Sequence, residues 1–243
     1  AMAAEYAAAR GESAAPGDVW DEVAALARGP SASSVGRPEG ATVPDWAPPG
    51  TLASEEVVEF GGVRVRLKVD WAVGIGGATW TSGQQLCRHL ATYERRYSAL
   101  RRGAPLKFLE LGAGTGVSGL FAAKLFPGAS VVLTDLADHL DLLDANVYLN
   151  GVEGRVVSEL LDWRDADTFG RLDEAPDVVL AADCAYHESL HAPLISVLER
   201  ACRSPRTTCV LGVTKSDTGL AFFDALHAAG LDYHLLEPPA DAY

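Results

Sequence analysis

From residue 106 to residue 236 the sequence alternates between short apolar runs and longer amphipathic stretches. We predict strands at 106–111, 131–134, 156–160, 178–182, 208–213 and 233–236. We predict helices at 116–126, 137–149, 190–202 and 218–229. Such alternation is typical of a parallel sheet with helices on both faces. The sequence therefore predicts a three-layer α/β fold, whose ligands bind at the carboxyl ends of the strands near the point where strand order reverses.

An N-terminal β-hairpin is predicted ahead of this alternation. Residues 63–69 alternate between aliphatic and basic side chains, which is the pattern of a half-buried strand. The Gly61-Gly62 pair before them can supply a two-residue turn. A loop then leads into a helix, which Thr81 or Ser82 can cap.

Residues 1–54 are predicted to be a low-complexity extension, rich in Ala, Gly, Pro and Ser. Five prolines lie between residues 30 and 50, where we expect extended or disordered chain. One short helix is predicted at 18–28, before the first of these prolines. The folded domain is therefore predicted to span residues 55–243.

A glycine-rich turn joins the strand at 106–111 to the helix that follows it. Gly112, Gly114 and Gly116 let the backbone approach a ligand without a Cβ in the way. The same stretch spells the dinucleotide motif G-x-G-x-x-G from Gly114 to Gly119. The turn alone therefore leaves two cofactors open, S-adenosylmethionine and a nicotinamide dinucleotide.

Two details favour S-adenosylmethionine. The turn starts at Gly112, so the position of the motif's third glycine is occupied by Val117. Glu110 also stands near the strand end, where the ammonium group of a sulfonium cofactor would lie. About 20 residues on, Asp135 ends the second strand of the alternation and can accept bonds from both ribose hydroxyls; its alternative role is a helix N-cap.

The loop after the third strand of the alternation is expected to cover the adenine. Asp162 could accept a hydrogen bond from the adenine amine, and Trp163 could cover the ring. Trp163 could equally be a core residue.

After the fourth strand, Asp183 and Tyr186 form a D-x-x-Y motif at the open end of the expected cofactor pocket. The carboxylate could bind a substrate amine, and the tyrosine ring could wall the channel and contact a methylated ammonium. Cys184 is expected to be an apolar filler rather than a nucleophile. We assign no catalytic role to His89 or His187.

Charge and composition restrict the partners. The net charge of −13 argues against a nucleic-acid surface, which normally carries a basic stripe. No apolar run approaches the roughly 18 residues of a membrane span, and no signal peptide is apparent. The four cysteines have no metal-binding spacing, so we expect no metal and reduced thiols in a cytoplasmic protein. We also expect a monomer.

These residues together resemble the seven-β-strand protein-lysine methyltransferases that carry a D-x-x-Y motif. The resemblance covers about residues 55–237 and rests on Gly77–Trp80 with Leu86-Cys87, Glu110–Gly116, Thr134-Asp135 and Ala181–Tyr186. It implies a seven-strand, Rossmann-like methyltransferase fold. It also implies S-adenosyl-L-methionine as cofactor, S-adenosyl-L-homocysteine as product, and a protein lysine as acceptor.

The resemblance also implies individual roles. The residues expected to line the cofactor are Trp80, Gly112, Asp135, Trp163 and Ala182, and those expected to meet the lysine are Asp183 and Tyr186. The stretch Trp80–Cys87 is most similar to the fungal branch that methylates translation elongation factor 1A, the favoured partner. That branch has a basic run after the fifth strand, where this chain has only Lys215. Branches acting on a hexameric AAA ATPase or an Hsp70 chaperone therefore stay as alternatives.

Three further functions remain open at this stage. The first is a small-molecule methyltransferase, whose acceptor would be enclosed by a lid. The second is a catalytically inactive relative that acts as a binding module, against which the intact motifs argue. The third is an oxidoreductase that uses a nicotinamide cofactor.

Overall fold

The computed structural model describes residues 53–101 and 103–236. The predicted helix at 18–28 and nearly all of the predicted extension lie outside these residues. The first strand begins at Ala53, two residues before the predicted domain start. The boundary at residue 55 itself stays a prediction.

Seven strands and six α-helices make up the part of the chain that the structure describes. The strands are β1 Ala53–Phe60, β2 Val63–Asp70, β3 Lys107–Leu111, β4 Ser130–Asp135, β5 Val156–Leu160, β6 Val178–Ala182 and β7 Thr208–Gly212. The helices are α1 Thr81–Thr92, α2 Glu94–Ser98, α3 Val117–Leu125, α4 Leu140–Asn150, α5 His191–Ala201 and α6 Lys215–Ala228. Short 3-10 helices occupy several of the connections between them.

Five of the strands form one parallel sheet in the order β5-β4-β3-β6-β7, and β1 and β2 pair as a separate antiparallel hairpin. The chain runs outward from β3 to β5 and then returns to β6 on the other side of β3. Strand order therefore reverses between β3 and β6, and the carboxyl ends of these two strands border the expected ligand crevice. The predicted α/β methyltransferase fold and the N-terminal hairpin are confirmed.

Alternate residues of the two central strands face opposite layers. Phe108 and Leu180 belong to a buried cluster that joins the sheet to α1, α3, α4 and the hairpin. Leu109 and Val179 belong to a second cluster, shared with α5 and α6. Because both faces of these strands are covered, their sequences read as nearly continuous apolar runs. The predicted three-layer arrangement is confirmed.

Two asparagines on α4 attach the hairpin to the sheet domain. The side-chain amide of Asn146 donates to the carbonyls of Lys68 at 3.0 Å and Thr115 at 2.9 Å. Its Oδ1 accepts the Lys68 N–H at 2.6 Å. One turn later, Asn150 bonds the N–H and C=O of Arg66 at 3.0 and 2.7 Å. The two side chains satisfy the backbone of β2 as a neighbouring strand would.

The predicted strand at 233–236 is wrong, because these residues form no strand in the structure. Leu235 and Leu236 are both 63% exposed, so the apolar pattern does not correspond to a buried strand. Tyr233 packs its ring on Phe223 of α6 instead, with centroids 5.3 Å apart. A strand needs a hydrogen-bonded neighbour, and β7 pairs with β6 alone within the described residues.

No helix within residues 53–101 and 103–236 is both long and apolar enough to cross a membrane.

Candidate functional site

The glycine turn lies between β3 and α3, and its tightest point is Gly114. The φ angle of Gly114 is +57°, a left-handed conformation that residues with a Cβ rarely adopt. A Cβ at this position would lie 2.6 Å from the carbonyl oxygen of Gly76, in the loop that precedes α1. The N–H of Gly114 donates to Oδ2 of Asp135 at 2.7 Å. The turn is therefore pressed against the Gly76 loop on one side and tied to the end of β4 on the other.

Asp135 stands at the end of β4, as predicted, with its side chain about 12% exposed. Its second oxygen, Oδ1, accepts the N–H of Leu136 at 2.7 Å. The carboxylate thus joins two loops at their backbone, and it caps no helix in the structure. Each carboxylate oxygen has a second acceptor position, which fits the predicted contact with ribose hydroxyls.

Glu110 lies beneath the turn rather than at its surface. Its carboxylate is 2% exposed and accepts the N–H of Gly119, in α3, at 2.8 Å. Burial raises the pKa of Glu110 to about 7, although the Gly119 hydrogen bond opposes the rise. A carboxyl in this position supports the turn and the start of α3. The contact between Glu110 and a cofactor ammonium stays a prediction.

One tryptophan packs on the glycine turn, and another binds the loop that precedes α1. Trp163 packs on the backbone of Gly112, where a Cβ would come within 3.1 Å of its ring. Trp80 is 37% exposed, donates its indole N–H to the Ile75 carbonyl at 3.0 Å and makes an edge contact with Trp71. Trp163 is therefore half-buried and borders the turn, and its predicted contact with the adenine stays a prediction.

Asp162 closes the loop that carries Trp163. Its Oδ1 accepts the N–H of Arg164 at 2.9 Å, which is an Asx-type turn. Its backbone carbonyl accepts from the hydroxyl of Thr168 at 3.1 Å. One carboxylate oxygen thus fixes the loop, and the adenine contact predicted for Asp162 remains a prediction.

His139 is a site residue that the sequence reasoning missed. Its Nδ1 lies 2.9 Å from Asp138 and 3.6 Å from Oδ1 of Asp135, while its Nε2 is buried without a hydrogen-bond partner. A Cβ on Gly76 would lie 2.4 Å from that Nε2, so the ring fills the space beneath the loop. Burial lowers the pKa of His139, but the carboxylates of Asp135 and Asp138 raise it more, and the net shift is upward.

Asp183 occupies a sharp bend directly after β6. Its φ angle is +50°, which makes it the one non-glycine residue with positive φ among the described residues. Its N–H donates to the Gly212 carbonyl, at the end of β7, at 2.8 Å. Its Oδ1 accepts the hydroxyl of Thr214 at 2.7 Å, and its Oδ2 accepts the hydroxyl of Ser82. A strained backbone held by neighbours is a feature that clusters at functional sites.

The residues around Asp183 link it to the glycine turn. Cys184 is 6% exposed, its Sγ lies 3.2 Å from the Leu111 carbonyl, and burial raises its pKa well above the ordinary value. The structure thus places it as a packed, protonated thiol. Burial, followed by nearby negative charge that includes Asp135, raises the pKa of Tyr186 to about 12. Tyr186 is therefore a neutral, half-buried phenol, and Ala182 is half-buried at the end of β6.

The structure brings several of the predicted residues together at one edge of the sheet. Gly112 contacts both Trp163 and Cys184, and Gly114 contacts Asp135. Carboxylate acceptors, an aromatic face and bare glycine backbone fit a ligand that carries hydroxyl and amine donors and a flat ring. The adenosyl cofactor predicted from the sequence has these groups.

Ser82 and Thr214 are two further residues of the candidate site that the sequence did not point to. The sequence predicts Ser82 only as a candidate helix cap. In the structure Trp80 occupies the N-cap position of α1, and no side chain caps this helix. Helix starts are the usual place for Ser and Thr, so neither residue stands out in the sequence. What distinguishes the two hydroxyls is that both bind the carboxylate of Asp183, which lies 101 residues from Ser82 and 31 residues from Thr214 in the chain.

Comparison with known proteins agrees with this arrangement. The chain is 35% identical to zebrafish (Danio rerio) protein N-lysine methyltransferase METTL21A, over 56% of this chain and 60% of that protein. It is 33% identical to protein-lysine N-methyltransferase EFM6 of Saccharomyces cerevisiae, over 47% and 53%. It is 32% identical to human protein-lysine N-methyltransferase EEF2KMT, over 52% and 44%. The chain thus spans about half the length of these relatives.

The family profile described as Lysine methyltransferase matches residues 60–229, which include every predicted site residue. This match decides the family, which the glycine turn alone left open between a methyltransferase and a dehydrogenase. The chain belongs to the lysine methyltransferase family.

Proposed function

We propose that this chain transfers a methyl group from S-adenosyl-L-methionine to the side-chain amine of a lysine in a protein. The observation that carries the proposal is the position of Asp183, which lies one strand away from the glycine turn at the reversal of strand order. Family membership supports the same reaction. The named relatives are protein-lysine methyltransferases.

The cofactor side is proposed to be the glycine turn with Asp135, Asp162, Trp80, Trp163 and Ala182. The turn would hold the amino-acid end of the cofactor, and Asp135 would accept from the ribose. Trp163, already packed on Gly112, would cover the adenine. We place Glu110 here as a positioning residue, because its buried carboxyl supports the turn through the Gly119 N–H.

On the acceptor side, Asp183 would orient the lysine amine and Tyr186 would wall its channel. The cofactor supplies a methyl group on a sulfonium, which is already activated for in-line displacement. The protein therefore has to align the amine and exclude water, and alignment can lower the barrier by several kcal/mol.

The lysine must lose a proton before it attacks, since its ordinary pKa is about 10.4. A carboxylate beside an amine stabilises the charged form. Asp183 is therefore assigned to orientation, with the proton leaving through water. Tyr186, with its pKa raised to about 12, stays neutral and keeps the channel wall uncharged.

The finer part of the proposal is the acceptor protein, for which we favour translation elongation factor 1A. The support is the similarity of the stretch from Trp80 to Cys87, which includes Ser82, to the branch that methylates this factor. The acidic chain, with a net charge of −13, also suits a basic partner. We expect the enzyme to act as a cytoplasmic monomer, without nucleic acid or membrane.

The test is transfer of tritium from labelled S-adenosyl-L-methionine to purified elongation factor 1A, an Hsp70 chaperone and a hexameric AAA ATPase in parallel. Mass spectrometry then locates the modified residue. Label on a lysine of elongation factor 1A supports the whole proposal. Label on a lysine of another protein supports the reaction and rejects the favoured acceptor. The same reaction is also run with a cell lysate. Label that is confined to the small molecules of the lysate rejects protein-lysine methylation.

A further inference from the structure

We propose that Ser82 and Thr214 are positioning residues that fix the carboxylate of Asp183 in the orientation required by the acceptor amine. The inference rests on the proposed function and deepens its acceptor side. Each hydroxyl donates to a different carboxylate oxygen, Ser82 to Oδ2 and Thr214 to Oδ1. The two donors come from different elements, the start of α1 and the end of the loop after β7.

Neither hydroxyl caps the helix at whose start it lies. Thr214 is the N-cap residue of α6, yet its side chain caps no amide of that helix. Ser82 lies in the first turn of α1, which also has no side-chain cap. Ser and Thr at helix starts normally accept from the free amides there, a contribution of about 1 kcal/mol. Here both hydroxyls instead donate toward Asp183.

The backbone around Asp183 is locked to the same two elements. Its N–H donates to the carbonyl of Gly212 at 2.8 Å. Gly212 in turn abuts Ser82, because a Cβ on Gly212 would lie 3.0 Å from the Ser82 carbonyl oxygen and 3.2 Å from its Cβ. The end of β7, the start of α1 and Asp183 therefore form one packed assembly. This fixes where the two hydroxyls lie relative to the carboxylate.

We call the pair of hydroxyls from Ser82 and Thr214 the clamp. The clamp leaves the carboxylate of Asp183 with a defined set of free hydrogen-bond acceptor positions. A carboxylate has about four, and the two hydroxyls use one on each oxygen. The remaining ones accept from an amine that enters beside β6. With one hydroxyl removed, the carboxylate can turn about its terminal torsion, which is broad in aspartate. The amine then loses its alignment, while the glycine turn and Asp135 are unaffected.

The test measures amine recognition without turnover. Sinefungin is a cofactor analogue with a carbon-bound amine in place of the sulfonium methyl, and S-adenosyl-L-homocysteine lacks that amine. Calorimetry with both compounds gives a ratio of dissociation constants that reports the amine contact. In Ser82→Ala and in Thr214→Val we expect sinefungin affinity to fall about tenfold, the size of one charge-assisted hydrogen bond. Affinity for S-adenosyl-L-homocysteine should stay unchanged.

Two matched variants serve as controls. Thr214→Ser keeps the hydroxyl and should retain the wild-type ratio. Thr81→Ala removes an exposed hydroxyl next to Ser82 and should also retain it. In the transfer assay, the clamp variants should lower kcat more than they raise the KM for the cofactor.

The outcomes separate this inference from the proposed function. Loss of sinefungin affinity in Asp183→Asn, with none in Ser82→Ala or Thr214→Val, overturns the clamp and leaves the acceptor site standing. An unchanged ratio in Asp183→Asn overturns the acceptor site itself. Equal losses of both compounds in the clamp variants indicate general disruption of the pocket, and this result also overturns the clamp.

Discussion

At the end of β3 the glycine turn is held through its own backbone N–H groups, which donate to side-chain carboxylates, whereas at the end of β6 the carboxylate of Asp183 is held by two side-chain hydroxyls. The turn's contacts are the Gly114 N–H to Asp135 and the Gly119 N–H to Glu110. Asp183 relies on Ser82 and Thr214 in addition to one backbone bond. Both regions lie at the same edge of the sheet, next to the reversal of strand order.

The difference suggests how each half tolerates change. In the glycine turn the donors are backbone amides, which no substitution within the turn to a residue other than proline removes, so a substitution there acts mainly by adding a side chain that intrudes on the turn. Hydroxyl contacts are lost with a single substitution, so the acceptor half can be altered without disturbing the cofactor half.

Of the variants proposed here, Gly114→Ala should weaken the binding of S-adenosyl-L-homocysteine the most. The new Cβ would sit 2.6 Å from the Gly76 carbonyl oxygen, at a φ angle of +57°. Left-handed strain and overpacking together cost about 2–5 kcal/mol, so we expect a loss of affinity of at least about thirtyfold. Calorimetry measures it. Gly128→Ala is the control, because it has a φ angle of +90° and nothing within 4 Å of the new Cβ; equal losses in both variants would show that the close approach does not matter.

Asp183→Asn should affect transfer and spare cofactor binding. The variant keeps the shape of the side chain and removes the charge that orients the amine, so we expect kcat to fall by about a hundredfold, the scale found for one electrostatic contact at a reacting centre. The measurement is tritium transfer to the acceptor protein alongside calorimetry with S-adenosyl-L-homocysteine. Asp141→Asn, an exposed aspartate on α4, is the control. Full transfer by Asp183→Asn would show that the active site lies elsewhere.

Asn146→Ala should destabilise the fold on the cofactor side. It leaves the N–H and C=O of Lys68 and the C=O of Thr115 without their partner, inside the protein. Unpaired buried groups cost about 1–3 kcal/mol each, and partial rehydration limits the total, so we expect the free energy of unfolding to fall by about 2–4 kcal/mol. Urea denaturation measures it. Asn150→Ala, whose bonds to Arg66 are exposed, should lose less, and the reverse order would contradict the role given to Asn146.

Glu110→Gln should flatten the pH dependence of stability. The folded-state pKa of Glu110 is raised from 4.5 to about 7, so between these values the folded protein binds more protons than the unfolded chain. The free energy of unfolding therefore falls as pH rises through this window. The raised pKa of His139 has the same sign, and its contribution is lost as pH rises through its folded-state value.

Glutamine at position 110 still accepts the Gly119 N–H but does not titrate. Relative to wild type, the variant should gain stability as the pH is raised from 5 to 7.5. Urea denaturation at both pH values measures the difference. A variant whose loss of stability over this range equals that of wild type would show that Glu110 is not the group that titrates.

Most strands and helices of the sheet domain, and the position of the glycine turn between β3 and α3, followed from local sequence. Alternating apolar and amphipathic stretches predicted β3 to β7 with only small differences in bounds. The pattern is clearest in β3 and β6, because these two strands are covered on both faces. The glycine turn and Asp135 were predictable for a similar reason. Each is written into a short stretch of chain at the end of a strand, where local backbone geometry sets its form.

The hydrogen bonds between residues that are distant in sequence are evident only in the tertiary structure. Asp183 meets Ser82 and Thr214 across 101 and 31 residues of chain, and no local pattern encodes such separations. The same holds for Asn146, which bonds Lys68 across 78 residues. At 233–236 the apolar pattern misled, since a strand exists only where a neighbour supplies its hydrogen bonds. Local sequence sets backbone form, but only packing determines which distant side chains meet.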